Sequence, residues 1–157
     1  RVAVEPKAML RLRGATSEVA DFTSGRFEPV IDDPNVTDKS AIKRVVALSG
    51  KLYYDVIAEI EKSGRKDVAV VRLEQFYPFP ADELNAVVDS YPNADLVWAQ
   101  DEPENQGAWP FIALQLGRAD GRPISVASRR ASASPATGSS KRSAKELSEL
   151  IAKALAL

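Results

Sequence analysis

Apolar and polar residues follow two rhythms along this chain, and the rhythm changes from block to block. Arg44 to Leu48 is a β-branched run closed by Ser49-Gly50, which predicts a buried strand. Leu52, Val56 and Ile60 then recur at every fourth position beside Tyr53 and Ile57, and Gly64 follows. That spacing predicts an amphipathic helix with a glycine stop. The alternation repeats. Val68 to Leu73 predicts a second strand, broken by Pro78 and Pro80, and Leu84, Val87 and Val88 predict a helix ending before Pro92. Asp95 to Ala99 predicts a third strand, Trp109 to Leu116 a helix that tolerates Pro110 in its first turn, and Ile124 to Val126 a short fourth strand. Leu147, Leu150, Ile151, Ala154 and Leu155 form the clearest apolar stripe, with Ser143 and Glu146 at capping-box spacing ahead of it.

Strands alternating with helices predict an α/β fold: a mostly parallel sheet flanked by helices on both faces. Residues 41–157 carry this pattern. Residues 1–40, with Pro6, Pro29 and Pro34, read as an irregular lead-in in which Ser17 caps a short helix over 18–22. A chain of 157 residues suits one domain, because a globule of this size buries about 70% of its unfolded surface.

Composition narrows the chemistry. The chain has no His and no Cys, which removes disulfides, thiolate nucleophiles, imidazole or thiolate zinc sites and every His-based charge relay. A formal net charge of −1 gives no bulk attraction to nucleic acid. No run approaches the length of a membrane span. The first residue is Arg1, not Met, and no apolar leader follows it, so the chain reads as a soluble piece of something longer. It is expected to be catalytically inert alone.

Charge is unevenly placed. Residues 81–104 hold seven acids and no base, whereas residues 118–145 hold seven bases against Asp120. Separated faces of opposite sign suit docking; two solvated faces are the plainer expectation.

Four segments could carry chemistry. Ser49-Gly50-Lys51 sits at a strand-to-helix turn, where a parallel sheet offers anions free N–H groups, although such turns also hold Ser and Gly for backbone reasons alone. Arg72 and Glu74 share one face of their strand and Gln75 takes the other, giving a catalytic pair or, more plainly, an interdomain ion pair. Gln100 to Trp109 is a polar loop whose carboxylates Glu102 and Glu104 could do acid–base work if desolvated. Alternatively, Asn105 and Gln106 satisfy backbone groups there while Trp109 anchors the loop. Arg129 to Arg142 is basic and hydroxyl-rich; composition says linker, yet Arg129 and Arg130 suit carboxylate or phosphate.

Five blocks in order, PKAMLR, VVALSGKLYYDV, DVAVVRLEQFYPFP, WAQDEPENQGAW and RRASASPATG, make the chain resemble the C-terminal domain of 2-oxoglutarate dehydrogenase, the decarboxylating component of its complex. The resemblance implies a transketolase-type C-terminal domain in a homodimeric enzyme of the tricarboxylic acid cycle. Thiamine diphosphate and Mg²⁺ would be bound by other domains, and none by this segment. The implied partners are the preceding domains of the same chain and the lipoyl acyltransferase component, not nucleic acid or membrane. The implied location is the bacterial cytoplasm, or the mitochondrial matrix in a eukaryote. The resemblance carries over no catalytic residue. It implies an allosteric acyl-CoA site at Arg11, Ser49, Gly50, Lys51 and Gln75, and domain-interface roles for Arg72, Glu74, Glu102, Asn105, Gln106, Trp109, Arg129 and Arg130. Two departures stand out. Ala81-Asp82-Glu83 replaces an arginine run and would repel CoA phosphates, and Ser143 stands where relatives hold a His. The rival expectations are a stand-alone α/β module binding a nucleotide or acetyl-CoA-like anion at the sheet edge, and a small hydrolase using Glu102 and Glu104.

Overall fold

The computed structural model describes residues 7–119 and 121–157; Pro6, Asp120 and the side chain of Arg118 lie outside what it describes. Five strands form one sheet: β1 (Val30–Ile31), β2 (Arg44–Leu48), β3 (Val68–Leu73), β4 (Asp95–Pro103) and β5 (Ser125–Arg129). Their order is β1-β3-β2-β4-β5. The β2–β3, β2–β4 and β4–β5 pairs are parallel, and β1 alone is antiparallel. The helices are α1 (Val19–Thr23), α2 (Leu52–Ser63), α3 (Ala81–Asp89), α4 (Trp109–Ala119) and α5 (Ser140–Leu155).

The period of two along each strand divides continuous apolar runs between two cores. Val45, Ala47, Ala69, Val71, Leu73, Leu96 and Trp98 face α3 and α4, where Leu84, Val88, Ile112 and Leu116 meet them. Val46, Leu48, Val68, Val70, Val97, Ala99 and Ala127 face α2 and α5, against Leu52, Val56, Leu150, Ile151, Ala154 and Leu155. Both faces of the sheet are therefore covered, as the alternation predicts.

The lead-in departs from its expected irregularity. Val30 and Ile31 pair with Leu73 and Arg72. Just beyond this short strand, the Asp33 carboxylate takes over its work. One oxygen accepts the Val70 N–H at 2.9 Å and the other accepts the Asn35 N–H at 2.9 Å. Asp33 is 8% exposed, so the bond satisfies a buried strand donor that has no neighbouring strand. Asp32 beside it joins Lys39 at 2.6 Å and the Tyr91 hydroxyl at 2.5 Å.

Several boundaries differ from the sequence reading, among them β5, which spans Ser125–Arg129 rather than Ile124–Val126. The cap of α1 is Glu18, boxed with Asp21, rather than Ser17. The cap of α5 is Ser139, whose hydroxyl accepts the Arg142 N–H at 3.3 Å. Ser143 lies inside the helix, so its spacing from Glu146 marks no capping box. Strand β4 runs on to Pro103 through a register shift between Ala99 and Pro103, where the sequence had placed a loop. The acidic and basic segments also meet in places. Because β4 and β5 are neighbours, Arg129 pairs with Asp101; elsewhere Arg122 pairs with Asp89.

Candidate functional site

Parallel strands bring their carboxyl ends to one edge, and all four polar segments gather there. The chain order reverses around β2, placing β3 on one side and β4 on the other, the arrangement that leaves a crevice at the strand ends. A cleft of about 550 Å³ opens there, lined by the Ser49–Leu52 turn, Asp55 and the Trp98–Glu102 stretch.

Gln100 organises the β4 side, and the sequence reading did not single it out. Its side chain shares the inward face of Leu96 and Trp98, and it is 4% exposed. Its carbonyl oxygen accepts the Trp98 indole N–H at 3.1 Å and the Trp109 backbone N–H at 2.7 Å. Its amide donates to the Pro103 carbonyl at 3.0 Å and the Gln106 carbonyl at 2.7 Å. One buried amide thus saturates the register shift in β4 and ties it to the first residue of α4. The available signal was parity: positions 96, 98 and 100 fall on one face of a strand if the strand is allowed to continue.

The turn that follows is held from outside. The Asn105 side-chain carbonyl accepts the Ser132 N–H at 3.0 Å, and the Asn105 and Gln106 amides donate to the Ser132 carbonyl at 3.0 and 2.8 Å. Trp109 and Asn105–Gln106 therefore perform the anchoring and backbone-satisfying roles that the plainer sequence reading gave them. Glu102 and Glu104 are exposed, so the desolvation that acid–base work requires is missing.

Arg129, at the end of β5, is 10% exposed in its side chain and joins Asp101 at 2.7 Å and Glu146 at 2.8 Å. Burial pulls its pKa down, but the bonds to Asp101 and Glu146 outweigh that and raise it. Arg142 and Arg129 together hold the Glu146 carboxyl below its ordinary value. The network links β4, β5 and α5. Arg130 is exposed.

On the other side of β2, Arg72 donates to Glu74 at 2.8 Å and lies 4.8 Å over the Tyr53 ring of α2. The pair is an ion pair, as its shared strand face predicts. Burial raises the Tyr53 phenol pKa, with Arg72 opposing it.

Of the residues of the implied acyl-CoA site, Ser49, Gly50 and Lys51 line the crevice at the strand ends. Lys51 is engaged by Asp55, one helical turn on. The Gln75 amide donates to the Pro78 carbonyl at 2.8 Å. Arg11 ends an exposed 3-10 turn, Lys7–Arg11, and forms no hydrogen bond or ion pair with Ser49, Lys51 or Gln75 among the described residues. Asp82 and Glu83 are exposed in the first turn of α3.

Comparison with known proteins decides the family. Residues 16–155 match the family described as 2-oxoglutarate dehydrogenase C-terminal. The chain belongs to that family. It is 44% identical over 160 residues to a multifunctional 2-oxoglutarate metabolism enzyme of Mycolicibacterium vanbaalenii, covering 96% of this chain and 13% of the relative. It is 45% identical over 140 residues to the 2-oxoglutarate dehydrogenase E1 component of Cupriavidus necator, covering 87% of this chain and 15% of the relative. The E1/E2 component of Corynebacterium glutamicum is 43% identical over 144 residues, covering 89% and 12%. A split-gene transketolase, described as an inactive beta4 tetramer, shares the fold with a TM-score of 0.52 at 19% identity, covering 83% of this chain and 44% of that one. The 2-oxoglutarate dehydrogenase C-terminal domain here thus shares its fold with that transketolase and spans 12–15% of the relatives' length.

Among the described residues no three His, Cys, Asp or Glu side chains converge as metal ligands. The most enclosed carboxylates are committed instead: Asp33 to backbone N–H groups, and Asp32 and Glu146 to cations.

Proposed function

We propose that this domain completes a 2-oxoglutarate dehydrogenase whose catalytic groups lie in other parts of a longer protein. The parent decarboxylates 2-oxoglutarate on thiamine diphosphate with Mg²⁺ and passes the succinyl group to a lipoyl arm of the acyltransferase component. It works as a homodimer in the bacterial cytoplasm. The observation that carries this reading is the alignment of nearly the whole chain with 12–15% of enzymes of 2-oxoglutarate metabolism.

Within that enzyme the domain acts by shape. The Gln100 amide and the Ser132 clamp hold the 101–109 turn in one conformation before any partner arrives. Docking against a preceding domain then costs little ordering entropy. The exposed Glu102 and Glu104 on this turn supply polar contacts to the neighbour, while Arg72–Glu74 directs the other end of the same edge.

The test is 2-oxoglutarate-dependent CO₂ release by the full-length native protein with thiamine diphosphate, Mg²⁺ and an electron acceptor. Activity lost on omitting thiamine diphosphate supports the reading. Inactivity of the full-length protein, or turnover by the purified 157-residue chain, overturns it.

A further inference from the structure

The basic, hydroxyl-rich stretch after β5 forms one wall of a second cleft, of about 1200 Å³, with α5 as the other wall. Five cations line it against two acids, and the surplus is real after internal pairing is counted. Arg129 and Glu146 satisfy each other together with Asp101. Among the described residues Arg142 is engaged only through Nε, by Glu146 at 2.7 Å, and Lys145 stands a loose 3.7 Å from Glu149. Arg130 and Lys153 have no ion-pair partner among the described residues. Ser128 also lines the cleft, and its buried hydroxyl oxygen has no hydrogen-bond partner among the described residues, an uncompensated polar group of the kind that a bound ligand or water would satisfy.

We propose that this cleft binds the phosphate chain of a small oligophosphate ligand. Phosphate oxygens are acceptors only, and the wall offers donors: the guanidinium groups of Arg130 and Arg142, the Lys145 and Lys153 ammonium groups, and the Ser132 hydroxyl. Small residues Ala131, Ala136 and Gly138 in the same stretch let a ligand approach the backbone closely. No aromatic side chain lines the cleft among the described residues, so a purine has nothing to stack on. The recognised element is the phosphate chain, not a nucleoside. This cleft is distinct from the Ser49–Lys51 crevice, and the proposal stands whether or not the parent decarboxylates 2-oxoglutarate.

The test is calorimetric titration of the full-length native protein with sodium tripolyphosphate, with thiamine diphosphate already saturating so that any diphosphate site elsewhere is filled. The wild type binds, and Arg130→Gln/Lys145→Gln binds at least about tenfold more weakly, as loss of charge-assisted bonds requires. Arg130→Lys retains most of the affinity, and ATP binds no tighter than tripolyphosphate. Both substituted side chains are exposed, and an unchanged melting temperature confirms that the variant is folded. Absence of binding, equal affinity in wild type and double variant, or much tighter binding of ATP overturns the proposal.

Discussion

The Trp98 indole and the Gln100 amide, two residues apart on one strand face, are joined by a 3.1 Å hydrogen bond in the buried core. That bond turns the end of β4 from a frayed strand into a fixed platform. The same oxygen receives the first N–H of α4, so sheet and helix share a single acceptor.

Gln100→Leu keeps the volume and removes every one of these bonds. Trp98 Nε1, the Trp109 N–H and two carbonyls are left without their partner, at a cost of about 3 kcal/mol. Chemical denaturation of the isolated chain measures it; a change within about 0.5 kcal/mol, the range of an ordinary surface substitution, would remove Gln100 from its organising role.

Gly107 sits at φ 65° inside the turn that Gln100 holds. A Cβ there would lie 2.9 Å from Glu102 Cβ and 3.1 Å from Gln100 Nε2. Gly64, which ends α2, has the same φ of 65° but open space around it. Gly64→Ala should therefore cost only the left-handed penalty, about 1–2 kcal/mol, and Gly107→Ala more. Equal losses in thermal unfolding would show that the contact adds nothing.

Arg129 bridges Asp101 and Glu146 from a nearly buried position. Because both carboxylates keep some solvent contact, Arg129→Ala is expected to cost about 1–3 kcal/mol rather than the larger toll of a fully buried pair. Arg129→Lys recovers little, since one ammonium cannot reproduce the fork that meets two acids. Hydrogen exchange should rise at the start of α5 in the alanine variant. Full recovery by lysine would argue against the geometric reading.

Asp32 gives a pH dependence with a definite sign. Burial pushes its pKa up, but bonds from Lys39, Tyr91 and the Asp33 N–H outweigh that and hold it below the ordinary 3.8. The folded state therefore binds the proton less well than the unfolded chain, and the stabilisation is present above pH 3.8 and lost as pH falls through the lower folded value. Tyr91 moves the opposite way, raised by burial and by its bond to Asp32, and stays neutral across this range. The melting-temperature gap between wild type and Asp32→Asn should be constant from pH 5 to 7, where the carboxyl is ionised in both the folded and the unfolded chain, and close in stronger acid. A gap that persists at the acid end would assign the stabilisation to something other than this carboxylate.

Much of the fold was legible in the sequence because it depends on local pattern. Strands β2 and β3 have the bounds that their apolar runs predict, and α2 ends at Gly64 because its stripe stops there. The five sequence blocks likewise contained the family. What the pattern could not contain was partnership between distant positions. Asp33 reads as a loop acid until β3 presents the unpaired Val70 N–H. Gln100 reads as the start of a polar loop until Trp109 and Pro103 surround it. The acidic and basic segments read as opposed faces until β4 and β5 lie side by side and Arg129 meets Asp101. Periodicity is a property of neighbours along the chain, so sequence determined the elements and their buried faces. Desolvation and hydrogen-bond satisfaction are properties of neighbours in space, so only the packed sheet decided which polar groups became structural and which, in the α5 cleft, were left open to a ligand.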